Sequence, residues 1–235
     1  MLLLAVSAGA GTISPKLINI QAGINVFNDP RAGTASYVEF PFSLKRSQFE
    51  FSPMDGESWL RGEISADLYL FDTLGNRIDS ASTYFYTRAG DMQKAAREDI
   101  ELYNKLTLYI EPGIYEAMLR VTDVTGGKTG TYLFGQFEIA PLICDSLSMS
   151  NIELAQKIRI VDDSAALASS RLIKNGYEII PSPMGIFNKI DNDLYIYAEL
   201  YNLQFSPGRN DSFMLACQIY KENGEPYFDF GEMAI

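Results

Sequence analysis

The sequence predicts an all-β protein made of two immunoglobulin-like antiparallel β-sandwich modules in tandem, residues 15–140 and 141–235, the second of them incomplete. Three observations carry that expectation. Apolar and polar side chains alternate with a period of two through most of the chain. Gly, Pro, Asn and Asp gather between the alternating runs. About seven such runs fall within the first ~140 residues, the density of a sandwich.

Residues 1–14 open with a short apolar run followed by small residues, and Ala8-Gly9-Ala10 has the shape of a signal-peptidase site. The segment reads as the remnant of an export signal or as a frayed tail or first strand; export places the protein outside the cytoplasm, in a periplasm or at a cell surface. From Leu17 to Phe27, Ile18, Ile20, Ala22, Ile24 and Val26 share one face of a strand, with Asn19, Gln21 and Asn25 on the other. "SYVEFPFSL" repeats the device with Val38, Phe40, Phe42 and Leu44 inward. Its Pro41 has no N–H to give to a ladder, which predicts an edge position or a bulge.

In "WLRGEISADLYLFDTLGNRIDS", Leu60, Ile64, Ala66, Leu68 and Leu70 alternate with Arg61, Glu63, Ser65 and Asp67. Asp72 to Asn76 then form a turn, and Ile78 to Thr87 return as the partner strand. "AGDMQKAAREDI" interrupts the pattern with helix formers and reads as a polar connection holding one helical turn. Leu106, Leu108 and Ile110 restore alternation. Pro112-Gly113 makes a corner, after which Tyr115, Ala117, Leu119 and Val121 face inward; Tyr115 is placed as a tyrosine corner or as a plain core-edge tyrosine. Asp123 to Lys128 close a hairpin into a strand whose inward set is Leu133, Phe137 and Ile139.

"PLICDSLSMSNIELA" reads as a crossing segment into the second module. There "NGYEIIPSP", "NDLYIYAELYNL", "DSFMLACQIY" and "PYFDFGEMAI" supply strands. So few strands predict either a chain cut from a longer protein or a sheet edge near the C-terminus that a protein partner completes.

Composition narrows the chemistry. With 19 Lys+Arg against 30 Asp+Glu the net charge is −11, which repels phosphate backbones, so nucleic acid is not an expected partner. No run approaches the ~20 apolar residues of a membrane-spanning helix. The absence of histidine excludes serine–histidine triads and histidine metal sites. Cys144 and Cys217 could form one bridge, although Cys217 shares a strand face with Phe213, Leu215 and Ile219 and reads as a small core hydrophobe. Asp162-Asp163 and the Asp191 to Asp193 run lack the spaced ligands of a calcium loop and read as solvated turns. "TGGKTG" lacks the spacing of a phosphate loop. No catalytic, cofactor or metal residues are therefore assigned. Aromatic residues are plentiful, with Tyr 14 and Phe 14. Trp59, Tyr69 and Phe71 fall opposite the apolar set of their strand, either as a ligand platform for a sugar ring or protein partner, or as the second buried face of a strand covered on both sides.

"YVEFPFSLKRSQFEF", "SADLYLFDTLGNRIDS", "IEPGIYEAMLRVTDVTGGKTG", "DSLSMSNIELAQKI" and "NDLYIYAELYNL" stand in an order and spacing that resembles the N-terminal region of bacterial GWxTD-domain proteins, over most of residues 17–235. The resemblance implies export, tandem β-sandwich modules and an unassigned biochemical role. The Gly-Trp-x-Thr-Asp motif itself is absent, since the single tryptophan, Trp59, sits in "ESWLRG". Its later domain transfers nothing to these residues, and the expectation is a chain cut before that domain. The function expected is non-enzymatic: an extracytoplasmic structural or protein-interaction segment of a larger envelope protein. The alternative is a carbohydrate-binding module using exposed aromatics.

Overall fold

A computed structural model describes residues 17–29, 31–141, 146–161, 170–187, 193–203 and 214–234. The export-signal reading of residues 1–14, Cys144, Asp162-Asp163 and Asp191 fall outside the described residues. Cys217 is a free, half-buried thiol.

The chain is all-β and antiparallel. β1 (Ile20–Ala22) and β2 (Asn25–Asn28) pair in succession along one side of β3 (Ser36–Lys45). The short β4 (Ser52–Pro53) leads into the hairpin of β5 (Leu60–Asp72) and β6 (Arg77–Ala89), and the helical turn α1 (Met92–Ala95) follows, capped by the Asp91 carboxylate. β7 (Glu101–Ile110), β8 (Gly113–Asp123) and β9 (Thr129–Ile139) complete the unit. β7 pairs with β3, whereas β5 is flanked by β6 and β8, with β9 beyond β8. The chain thus passes from the first sheet to the second after β3, returns at β7 and crosses again at β8, giving the Greek-key path of an immunoglobulin-like sandwich.

The alternation in the sequence becomes the core. Val38, Phe40, Ile64, Ala66, Leu68, Leu106, Leu119 and Val121 are fully buried between the sheets. Each large side chain removed from water contributes about 1.5–3 kcal/mol. At the corner after β7, the Tyr115 hydroxyl donates to the Glu111 carbonyl at 3.0 Å, so the tyrosine-corner reading holds. Gly113 makes room for that ring, because a Cβ there would lie 2.8 Å from the Tyr115 hydroxyl.

Three expectations are corrected by the geometry. β3 is a central strand, not an edge. Gly23 N–H donates to the Pro41 carbonyl at 3.0 Å, so Pro41 faces the break between β1 and β2, where its missing donor costs no regular ladder bond. The run from Leu17 to Phe27 is correspondingly two strands instead of one. In β9, Tyr115 opposes Phe137 but Ala117 opposes Phe134, and the extra residue inverts the alternation. Phe134 is therefore buried and Leu133, expected inward, is 72% exposed.

After residue 145 the strands are shorter: β10 (Ser148–Met149), β11 (Glu153–Ile160), β12 (Ile173–Lys174), β13 (Tyr177–Pro181), β14 (Tyr195–Tyr197), β15 (Leu200–Tyr201), β16 (Met214–Tyr220) and β17 (Pro226–Ala234). They form a β10–β15 pair, a four-stranded sheet in the order β12-β13-β11-β14, and a β16–β17 hairpin. The supposed crossing segment ends on the first three residues of β11, the strand that binds both β13 and β14. Its polar positions hid it: "ELAQKIRI" carries its buried residues, Glu153 and Ala155, at only one end.

Candidate functional site

Two places in the molecule combine aromatic rings with carboxylates. One is closed by the chain itself; the other is open.

The closed one lies on the outer face of β3. Because Glu39 and Pro41 alternate with Val38 and Phe40, they point away from the sandwich core, yet both are buried. The sheet of β11 to β14 reaches Glu39 through Lys174. Lys105, diagonal to Glu39 across the β3–β7 ladder, places its ammonium 2.5 Å from one Glu39 oxygen. Lys174 of β12 reaches the other oxygen at 3.0 Å and Glu153 of β11 at 3.0 Å. The Lys174 ammonium also sits 3.4 Å from the centre of the Phe27 ring and 4.5 Å from that of Tyr197. All four charged side chains are at most 9% exposed. Burial holds the Glu153 carboxyl above the usual carboxylate range, with Lys174 pulling in the opposite direction.

Two carboxylates converging in this way are what a hydrolase would need, but this pair is sealed and saturated by lysines, so no substrate reaches it. It acts as a latch. Four buried charges are tolerable only while mutually paired. Around them, Asn151 N–H donates to the Val26 carbonyl at 3.1 Å and its side-chain oxygen accepts from Val26 N–H at 2.8 Å. Tyr197 and Tyr201 hydroxyls each donate to Glu199 at 2.7 Å, and burial holds both phenols above their usual range. Gly23 lies against Pro183 so closely that a Cβ would come 2.5 Å from its carbonyl oxygen.

The predicted platform residues divide. Tyr69 and Phe71 are neighbours on the outer face of β5, both half-buried. Trp59 precedes the strand, ten residues from Tyr69 and thus roughly 33 Å away along extended backbone. The Trp59 indole N–H donates to Glu57 at 2.8 Å, and the Arg88 guanidinium lies 4.4 Å from its ring centre. Arg77 lies 5.7 Å from the Tyr69 ring. These rings stand in two separate places, and Trp59 and Tyr69 each already have a cationic partner.

The open place was not singled out from the sequence. A groove of about 530 Å³ runs between β14 and the β16–β17 hairpin, lined by Asp193, Leu194, Tyr195, Ile196, Ile219, Tyr227, Phe228 and Phe230. In the hairpin Ile219 opposes Phe228, and Phe228 and Phe230 stack edge to face 4.7 Å apart. A register irregularity beside Tyr220 lets adjacent Tyr227 and Phe228 line the same groove. Gly231, at φ 75°, supplies the left-handed residue of a second bulge, its N–H donating to Asp229 at 2.8 Å. Tyr227, Phe228 and Phe230 are 70%, 53% and 53% exposed. The signal in the sequence was "PYFDF", where aromatics occupy adjacent positions and violate strand alternation.

Among the described residues no group of three or more Cys, Asp or Glu side chains is arranged to hold a metal ion, and no helix is long and apolar enough to cross a membrane. No family model and no curated protein matches the chain. Among solved structures, the crystal structure of a protein from Bordetella pertussis described as ApaA aligns with 54% of this chain and 97% of its own, at 10% identity and a TM-score of 0.26. A likeness that slight carries no argument about this chain.

Proposed function

We propose that the chain is an extracytoplasmic, non-enzymatic segment that engages another protein, and that it does so through the groove and hairpin near its C-terminus. One observation carries this reading: Tyr227, Phe228 and Phe230 leave most of their ring surface in water beside a strand-walled groove. Exposed aromatic clusters of this kind mark interaction sites more often than they mark plain surface. The signal-like start of the sequence and the resemblance to GWxTD-domain proteins support export and membership of a larger envelope protein.

A photocrosslinking benzoylphenylalanine placed at Phe228, and as a control at Tyr84 on β6, tests the reading in the native cells. A discrete protein adduct at position 228 and none at 84 is the expected result. No protein adduct at 228 would refute it. The exposed rings also fit a sugar face, so a glycan array on the purified chain decides the carbohydrate alternative: hits lost on Phe228→Ala would favour it over a protein partner.

A further inference from the structure

We propose that the groove between β14 and the β16–β17 hairpin takes an extended segment of a partner protein carrying lysine or arginine, whose cationic side chain lies among Tyr227, Phe228 and Phe230 and faces Asp193. This rests on the protein-interaction reading above and specifies the chemistry of the partner.

The argument starts from what lines the groove. Aromatic rings and aliphatic side chains form its walls, and among the described lining residues Asp193 is the one charged residue and neither lysine nor arginine appears. Ring faces beside a carboxylate are the chemistry that selects an organic cation, because the ring quadrupole and the full charge attract it together. The surrounding field has the same sign: residues 214–234 contain Lys221 alone against Glu222, Glu225, Asp229 and Glu232. Lys221 is held by Glu225 at 3.0 Å. A second copy of this chain would bring the same acidic hairpin and meet like charge, so the complementary occupant is a basic one.

The same molecule contains the filled version of this arrangement. Lys174 lies over Phe27 and Tyr197 with Glu39 and Glu153 on its ammonium. Among the described residues, the groove presents the rings and a carboxylate without the cation. Its walls also favour an extended ligand. β14 pairs with β11 on one side and, among the described residues, with no strand on the other; β17 likewise pairs only with β16. Strands without a second partner among the described residues are those to which an extended segment can add.

The test uses the intact 235-residue chain and a fluorescent nine-residue peptide alternating lysine with valine and tyrosine, compared by anisotropy with the same peptide carrying glutamate or glutamine for lysine. The lysine peptide should bind at least roughly tenfold more tightly than the glutamate one, and the preference should shrink with added salt. Asp193→Asn and Phe228→Leu, both on exposed positions, should each weaken it by about two- to fivefold while Tyr84→Leu leaves it unchanged. Equal affinity for the lysine and glutamate peptides would overturn the inference, as would indifference to both groove variants. So would a dimer, seen by sedimentation, that Phe228→Ser dissolves. A protein adduct at position 228 combined with failure of the lysine peptide removes the cationic partner and leaves the protein-interaction reading standing; absence of any adduct removes both.

Discussion

The outer face of β3 and the β16–β17 hairpin are built from the same materials and meet opposite fates. Over β3 the Glu39 carboxylate, the rings of Phe27 and Tyr197 and the Lys174 ammonium are pressed into one joint, with Glu39 fully buried. On the hairpin the rings and carboxylates stay in water. What separates them is a partner. β3 has the β11 to β14 sheet laid over it, and Lys174 arrives with that sheet. The hairpin has no such cover among the described residues. The contrast teaches that an aromatic-acid surface in this chain is completed by a cation, supplied internally in one case and, on our proposal, externally in the other.

The largest test of the closed side is Lys174→Met. It leaves Glu153 without its cation, and Glu39 with Lys105 alone, in a low-dielectric joint, and removing one member of a buried ion pair costs about 3–5 kcal/mol, readable as a lower urea midpoint. An unchanged midpoint would mean that the latch contributes nothing. Gly23→Ala comes next. Its Cβ must displace the Pro183 backbone, an overpacking cost of about 1–3 kcal/mol, and hydrogen exchange should rise in β11 to β14 ahead of β5 and β8.

Tyr115→Phe removes only the corner hydrogen bond and should cost about 0.5–1.5 kcal/mol in the same assay. The smallest effect is in pH dependence. Because burial raises the Glu153 carboxyl, the folded state holds its proton longer than the unfolded chain; its contribution is full below the ordinary glutamate range and declines as pH rises through the shifted value. Carboxylates such as Asp72 and Asp91, lowered by hydrogen bonds, give the opposite slope at more acidic pH, where their protonation removes it. Glu153→Gln should therefore flatten the decline above the ordinary glutamate range and leave the acid limb intact. A variant that changes only the acid limb would contradict the assignment.

Much of the sandwich was legible in the sequence because one face of each strand meets the core and the other meets water or a polar neighbour. Leu60 to Leu70 and Tyr115 to Val121 behave in that way. Legibility failed where a second layer intervened. Nothing local tells the buried Glu39–Lys105 ion pair from an exposed one, and Lys174, which joins Glu39 to Glu153, lies 135 residues beyond Glu39. It failed again at bulges, where one extra residue in β9 exchanged Leu133 for Phe134. The groove was hidden for the same reason: its walls, β14 and β17, are distant in the chain, whereas of the rings expected on one platform Tyr69 and Phe71 stand together and the length of β5 separates Trp59 from them.

Hydroxyl-radical footprinting of the intact protein compares the two surfaces in one experiment. The account predicts rapid oxidation of Tyr227, Phe228 and Phe230 with protection of Phe27 and Tyr197, and loss of that protection in Lys174→Met. Equal oxidation of both sets in the unmodified protein, or protected hairpin rings in the isolated chain, would contradict it.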